Sequence, residues 1–406
     1  MFWLLALAYL FVYFHRFALS VVAVELNNTF QTSAGLMGIL GSVYFYSYAL
    51  MQFPAGLLSD SLGPRKGVTI FLLLTSCGSI LFGFSSSIKM AILARLMVGI
   101  GVSMVFIPTL KILSQWYKPS EFAFMAALLN AMGGLGILIS AAPLALISEI
   151  LGWRISFQLI GVITFILAML VWIIVRDRPS DMGWPSIKTA EQKTEPIPLL
   201  EGAKQVITEK YFWPVALWFF FDCGVFFGFG ALWSGPYLIH VYGMSSKEAG
   251  LILSMLAVGM IGGSPLLSFL SDKVLHSRKK VLMLSSAALT ADMLVLFLLP
   301  NVLSKTALFL VFLLFSIFSS AIVAIGFSTV KELFPIEITG TSVGCVNIFP
   351  FLGGAIFQHF LGWILDLYPK TGINIYPLRA YSSLLLILTG TSLLALFCTF
   401  FMKETI

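Results

Sequence analysis

Charge is what this chain has least of: only 10% of its 406 residues are Asp, Glu, Lys or Arg, with 18 acids against 24 Lys and Arg. A soluble domain carries about a quarter charged residues. A mean hydropathy of +0.98 and an apolar content of 59% therefore exclude a water-solvated globule and indicate a polytopic membrane protein. Cysteine is scarce as well. Cys77, Cys223, Cys345 and Cys398 all fall in apolar stretches and form no CxxC pair, so neither a disulfide framework nor a zinc site is expected. There is no Gly-x-x-x-x-Gly-Lys-Ser/Thr loop, so ATP is not the expected energy source and no cofactor or metal is anticipated. The first apolar stretch is too long for a signal peptide, contains His15-Arg16 and lacks a small-residue cleavage site.

What the chain has instead is a series of apolar runs, each able to cross a hydrocarbon core of about 30 Å. They lie near 2–24, 35–58, 68–85, 90–113, 123–148, 155–175, 212–239, 249–270, 281–299, 306–330, 340–365 and 380–401. The expected fold is an all-α membrane protein of twelve transmembrane helices in two pseudo-symmetric six-helix bundles, residues 1–175 and 211–406, joined by a cytoplasmic linker at 176–210. Twelve crossings put both termini on one side. If that side is the cytoplasm, 15 of the 24 Lys and Arg lie in inner loops, 6 in outer loops and 3 within spans, which is the asymmetry the positive-inside rule requires. The net charge of +6 follows from this bias, so no nucleic-acid partner is inferred. Short outer loops suggest a bacterial inner membrane.

Arg16 sits near the middle of the first run, where a fixed charge costs roughly 2.5 to 3.5 kcal/mol on insertion scales. Tyr9, Tyr13, Arg16 and Ser20 follow at helical spacing and share one face, a polar stripe that should look into the bundle. A guanidinium fork suits a carboxylate or phosphate; a structural Arg paired within the protein is the alternative. In the second helix, Tyr44, Tyr48 and Gln52 form a matching polar face. In the seventh, Asp222 lies within an apolar run with Trp218 on the same side. Asp222 is a candidate for proton coupling, for a partner of Arg16, or for an anchor of a substrate ammonium. His15 points about 100° away from Arg16 and is either a packing residue or a proton relay. Asn347, with Ser319, Ser320 and Gln358, is a candidate for lining the second half of a cavity, and Pro350 with Gly353 and Gly354 is expected to permit a bend. Asp292 remains unassigned.

A loop motif recurs. Gly56-Leu-Leu-Ser-Asp60-Ser-Leu-Gly63-Pro64-Arg65-Lys66 follows the second span of the first half, and Ser268-Phe-Leu-Ser-Asp272 with Arg278-Lys279-Lys280 follows the second span of the other, Asp60 and Asp272 being 212 positions apart. Arg95-Leu-Met-Val-Gly99-Ile-Gly101 and the passage Lys331-Glu332-Leu-Phe-Pro335 to Gly344 complete a set that resembles the major facilitator superfamily, in a form similar to its organic-anion and amino-acid carriers. The resemblance spans essentially the whole chain. It implies a transporter that works by alternating access, with Asp60, Arg65, Lys66, Arg95 and Asp272 in gating or helix-tying roles. The Gly-Pro-x-x-Gly-Gly pattern of drug antiporters is absent; this chain reads Gly133-Gly134-Leu-Gly136. Gly99, Gly101, Gly133, Gly134 and Gly136 read as close-packing positions.

The resulting expectation is a non-enzymatic carrier for a small carboxylate-bearing solute, whether organic anion, amino acid or short peptide, coupled to protons and acting as a monomer. Efflux of an amphipathic drug or siderophore, facilitated diffusion, and phosphate-ester transport are the alternatives.

Overall fold

The computed structural model describes residues 1–185, 199–335, 338–372 and 374–405; most of the linker and a few helix side chains, that of Asp60 among them, lie outside the described residues. Within this set the chain is helical, and its only β pairing is an isolated bridge between Gly372 and Ile375. Water is absent from a bilayer core, so each crossing segment must satisfy its backbone internally, and helices do this from local bonds alone.

The helices are α1 (Phe2–Phe30), α2 (Ala34–Ser61), α3 (Pro64–Gly83), α4 (Ile88–Ser103), α5 (Phe106–Trp116), α6 (Pro119–Ser140), α7 (Ala142–Ile174) and α8 (Leu199–Thr208). The remainder are α9 (Phe212–Val225), α10 (Ser234–Tyr242), α11 (Ser246–Phe269), α12 (Arg278–Leu298), α13 (Lys305–Ser319), α14 (Phe327–Leu333), α15 (Thr339–Val346), α16 (Ile348–Asp366) and α17 (Leu378–Phe400). Among the described residues, ten helical stretches are long and apolar enough to cross a membrane. One of them, Phe124–Ile174, runs for 51 residues, while Lys305–Ser319 is short at 15. The long run is interrupted at Ala141, just before Pro143, and at Gly152, whose φ of 79° lies in the left-handed region open to glycine. α15 and α16 are separated at Asn347, three residues before Pro350, because the proline removes a backbone donor from that turn. π-type turns at Phe226–Trp233 join α9 to α10, the kind of irregularity found often at functional sites.

Two compact units emerge. The first comprises Met1–Ala18 and Val43–Thr194; the second comprises Leu19–Ser42 and Glu195–Ile406. Residues 19–42, the end of α1 and the start of α2, therefore pack with the second half of the chain. In the first unit α3 lies against α4 and α7, with Ser76 and Ser79 donating to the carbonyls of Gly161 (2.7 Å) and Phe157 (2.9 Å). α6 reaches α1 through Gly136, where a Cβ would come within 2.2 Å of the Leu10 carbonyl oxygen. Only a residue without a side chain lets these backbones approach so closely.

Gly136→Ala should consequently destabilise the protein by about 1–3 kcal/mol through overpacking. Gly262→Ala, where nothing lies within 4 Å of the added carbon, should leave stability nearly unchanged. Thermal unfolding in detergent, followed by tryptophan fluorescence, compares them; equal melting temperatures would contradict the close-packing role.

Candidate functional site

In the first unit the polar stripe of α1 meets the polar face of α2. Arg16, only 3% exposed, lies 4.4 Å from the Tyr13 ring centroid and 5.1 Å from that of Tyr48. Its guanidinium also donates to the hydroxyls of Tyr44 and Tyr48. Tyr44 in turn donates to the Val12 carbonyl at 2.9 Å, which fixes its ring between the two helices. Tyr9 packs edge-on against Tyr13 and stacks on Phe106, with centroids 5.4 and 5.1 Å apart. Gln52 is buried one turn beyond Tyr48, and its amide reaches the Tyr48 carbonyl at 3.4 Å.

Magnitudes decide what this cage can do. A desolvated cation over an aromatic face gains about 2 kcal/mol, so two rings together with the phenol hydrogen bonds offset an insertion cost of roughly 2.5 to 3.5 kcal/mol. Phenols hold Arg16 in place. A second guanidinium stands nearby. Arg95, from α4, is buried, donates to the His15 carbonyl at 2.9 Å and lies 4.9 Å from the Tyr44 ring centroid. It ties α4 to α1 and touches the same tyrosine that Arg16 bonds, so the residue expected in a gating role also stands beside the tyrosines around Arg16. Periodicity within one helix carries no sign of this, because the two arginines come from helices far apart in the chain. His15 is fully buried against Phe11 and Phe14, and neither of its ring nitrogens has a hydrogen-bond partner among the described residues.

The second unit holds the opposite charge. Asp222 is fully buried and neither of its carboxyl oxygens meets a donor among the described residues; Asp292 on α12 is 7% exposed. An ionised carboxylate without donors in such surroundings is costly. Trp218, one turn before Asp222, donates its indole N–H to Ser286 at 2.8 Å and so belongs to the packing of α9 on α12. Asn347 occupies the break between α15 and α16 and is partly exposed.

The expected gate residues fall into separate local networks. Arg65 donates through Nε and a terminal nitrogen to the Trp172 carbonyl, lies over the Trp172 ring, and its backbone N–H bonds Asp177 at 2.7 Å; Lys66 is exposed. In the second unit, Asp272 pairs with Arg278, which also reaches Glu332 at 3.2 Å.

Sequence reading passed over a further clasp in the second unit. Asp366, at the end of α16, accepts from the first amides of α2, Ala34 N at 2.9 Å and Gly35 N at 2.7 Å, across more than 330 residues of sequence. Tyr376 donates to the same carboxylate at 2.6 Å, and burial together with that bond raises its phenol pKa. Lys370 and Asn374 tie the following loop to the carbonyls of Thr32 and Asn27. Close backbone contact continues inward, where a Cβ on Gly235 would come 1.6 Å from the Ser20 carbonyl oxygen. The sequence did hold a clue. An acid at a helix C-terminus sits at the wrong end of its own dipole, whereas the N-terminus of α2 presents unpaired donors.

Asp366→Asn keeps the size and removes the charge, so it should weaken this clasp by about 1.5–3 kcal/mol, the value of hydrogen bonds to a charged group. A cysteine placed at Ser42, buried on α2 about two turns beyond Ala34, should then react faster with a membrane-impermeant thiol reagent in Asp366→Asn than in the parent. Unchanged labelling would show that the clasp does not hold this region shut.

Comparison with known proteins agrees with this architecture. The family model described as Major Facilitator Superfamily matches residues 5–358. A probable galactarate/D-glucarate transporter of Escherichia coli strain K12 is 23% identical, covering 96% of this chain and 90% of its own. A hexuronate transporter of Bacillus subtilis is 28% identical over 68% of each chain, and a probable hexose phosphate transport protein of Chlamydia trachomatis is 25% identical over 68% of this chain and 65% of its own. Among solved structures, a bacterial homologue of the human lysosomal transporter Spinster superposes with a TM-score of 0.82 at 20% identity, covering 98% of this chain and 95% of its own. A D-xylose–proton symporter does so with a TM-score of 0.75 at 15% identity, covering 100% and 98%. With a family model spanning most of its length on an all-helical, membrane-crossing fold, the chain belongs to the major facilitator superfamily and is a multi-pass membrane transporter.

Proposed function

We propose that this transporter carries a small carboxylate-bearing anion of the sugar-acid or related organic-acid class, by alternating access between two six-helix bundles. The observation that carries the reading is the charge of the first unit's interior. Among the described residues, its buried charged side chains are Arg16 and Arg95, both in contact with Tyr44, with no buried acid beside them. Two buried guanidiniums held by phenol and carbonyl oxygens favour an anionic ligand, and the fork geometry favours carboxylate or phosphate. The solutes named for the galactarate/D-glucarate and hexuronate relatives are carboxylates, which supports the same choice. An amino acid or short peptide offers a carboxylate too, but its ammonium would need an acid that the cage lacks. The arginine pair also suits a phosphate ester, the class named for the chlamydial relative, and this is the second reading.

Twelve crossings follow if Phe124–Ile174 spans twice, turning between Ala141 and Gly152, and if Lys305–Ser319 continues through Ile322–Gly326 into Phe327–Leu333. The Lys and Arg asymmetry supports cytoplasmic termini in a bacterial inner membrane. Asp222 is the proposed proton carrier, since a buried carboxyl that alternates between neutral and ionised forms can link proton entry to a conformational step. His15 is the subsidiary candidate.

Thermal stability of the purified protein against galactarate, glucarate, hexuronates, amino acids and glucose 6-phosphate tests the substrate class. A ligand at 100 times its dissociation constant adds about 2.7 kcal/mol. A shift with the sugar acids that is weakened in Arg16→Lys supports the reading. A shift from hydrophobic cations or siderophores alone, retained in Arg16→Ala, would replace it with efflux. For coupling, Asp222→Asn in proteoliposomes should abolish uptake driven by a pH gradient while sparing counterflow exchange. Loss of both would assign Asp222 to binding or packing.

A further inference from the structure

A cavity of about 600 Å³ in the second unit lies between α9 and α17. Trp213, Leu217 and Phe221 form one stripe along α9, and Leu394, Phe397 and Phe401 form another along α17. Trp213, Phe397 and Phe401 are 44%, 58% and 57% exposed, so the groove opens outward along the two helices. An apolar groove between membrane helices suits an acyl chain. Its two ends differ sharply in chemistry.

At the end where α9 begins and α17 finishes, two ammonium groups share one ring: Lys210 Nζ lies 4.9 Å and Lys403 Nζ 5.7 Å from the Tyr211 centroid. Both lysines are exposed, and neither forms an ion pair among the described residues. Lys279 adds a third cation at the same end, donating to the Phe400 carbonyl at 2.8 Å. The two nearby acids are engaged elsewhere. Glu209 accepts from the Tyr211 amide at 3.2 Å, and Glu404 caps α12 through Ser277 and the amides of Arg278 and Lys279. Two like charges brought to one aromatic ring repel unless an anion lies between them, and the positive end of α9 points the same way.

We propose that this groove is a binding site for one anionic glycerophospholipid, with its headgroup phosphate held by Lys210 and Lys403 and one acyl chain lying along Trp213, Leu217, Leu394 and Phe397. Basic residues beside a gap between membrane helices recognise anionic headgroups in this way. The lipid would brace α9, the helix that carries Asp222, against α17.

Fluorescence quenching by brominated lipids in nanodiscs tests the site. The chain has 9 tryptophans, so the Trp213 contribution is read as the difference between the parent and Trp213→Phe. Brominated phosphatidylglycerol should quench that component at a mole fraction on the order of tenfold lower than brominated phosphatidylcholine, as two lysines near a headgroup imply. High salt and the pair Lys210→Gln with Lys403→Gln should each bring the two lipids to near parity. Equal quenching by both lipids in the parent would overturn the proposal, as would a preference that survives both salt and substitution. If the double variant does not fold, the salt dependence of the parent decides. Relief of quenching by millimolar inorganic phosphate would assign the lysines to a soluble anion and likewise overturn the lipid site.

Discussion

A positive charge inside an apolar bundle is the constraint around which the first unit is arranged. Arg16 cannot be neutralised by deprotonation, and it lies too deep to extend into water, so the protein surrounds it with Tyr13, Tyr44 and Tyr48. That solution restricts the helices in turn. Tyr44 must reach both Arg16 and the Val12 carbonyl, which sets the approach of α2 to α1, and Gly136 lets α6 close on the same helix. Phenols stabilise the cation through ring faces and neutral hydrogen bonds.

α1 connects this cage to the clasp. Arg16 and Ser20 are one helical turn apart on an unbroken helix, yet Arg16 belongs to the first compact unit and Ser20 to the second, where its carbonyl meets Gly235. Further along, the α1–α2 turn is fastened by Asp366, Tyr376, Asn374 and Lys370. One helix thus carries both the caged cation and the segment that the clasp fastens. Hydrogen bonds to a charged group, such as those Asp366 accepts, contribute about 1.5–3 kcal/mol each.

Local pattern made much of this legible. The Tyr9, Tyr13, Arg16 and Ser20 stripe and the Tyr44, Tyr48, Gln52 face follow from helical periodicity, and the structure joins the tyrosines of both around Arg16. The close approaches at Gly101 and Gly136 follow from small residues in apolar runs, where bringing backbones together replaces the missing hydrophobic drive. Other features were not legible. Arg95 read as a helix-tying residue because nothing in α4 alone indicates that its side chain ends beside Tyr44. Asp366 gave no periodic signal because its partners, the amides of Ala34 and Gly35, are backbone groups that every sequence possesses.

The sequence by itself determined that this protein lives in a membrane, is built of helices, and keeps its interior charges few. Each follows from the cost of placing polar groups in hydrocarbon, a cost that every residue meets wherever the chain goes. Tertiary structure alone decided which of those charges meet. Arg16 and Arg95 share a tyrosine, Asp366 finds the start of α2, and two lysines converge on Tyr211. Such contacts join residues up to more than 330 positions apart, and their geometry is set by how whole helices pack, which no local periodicity encodes.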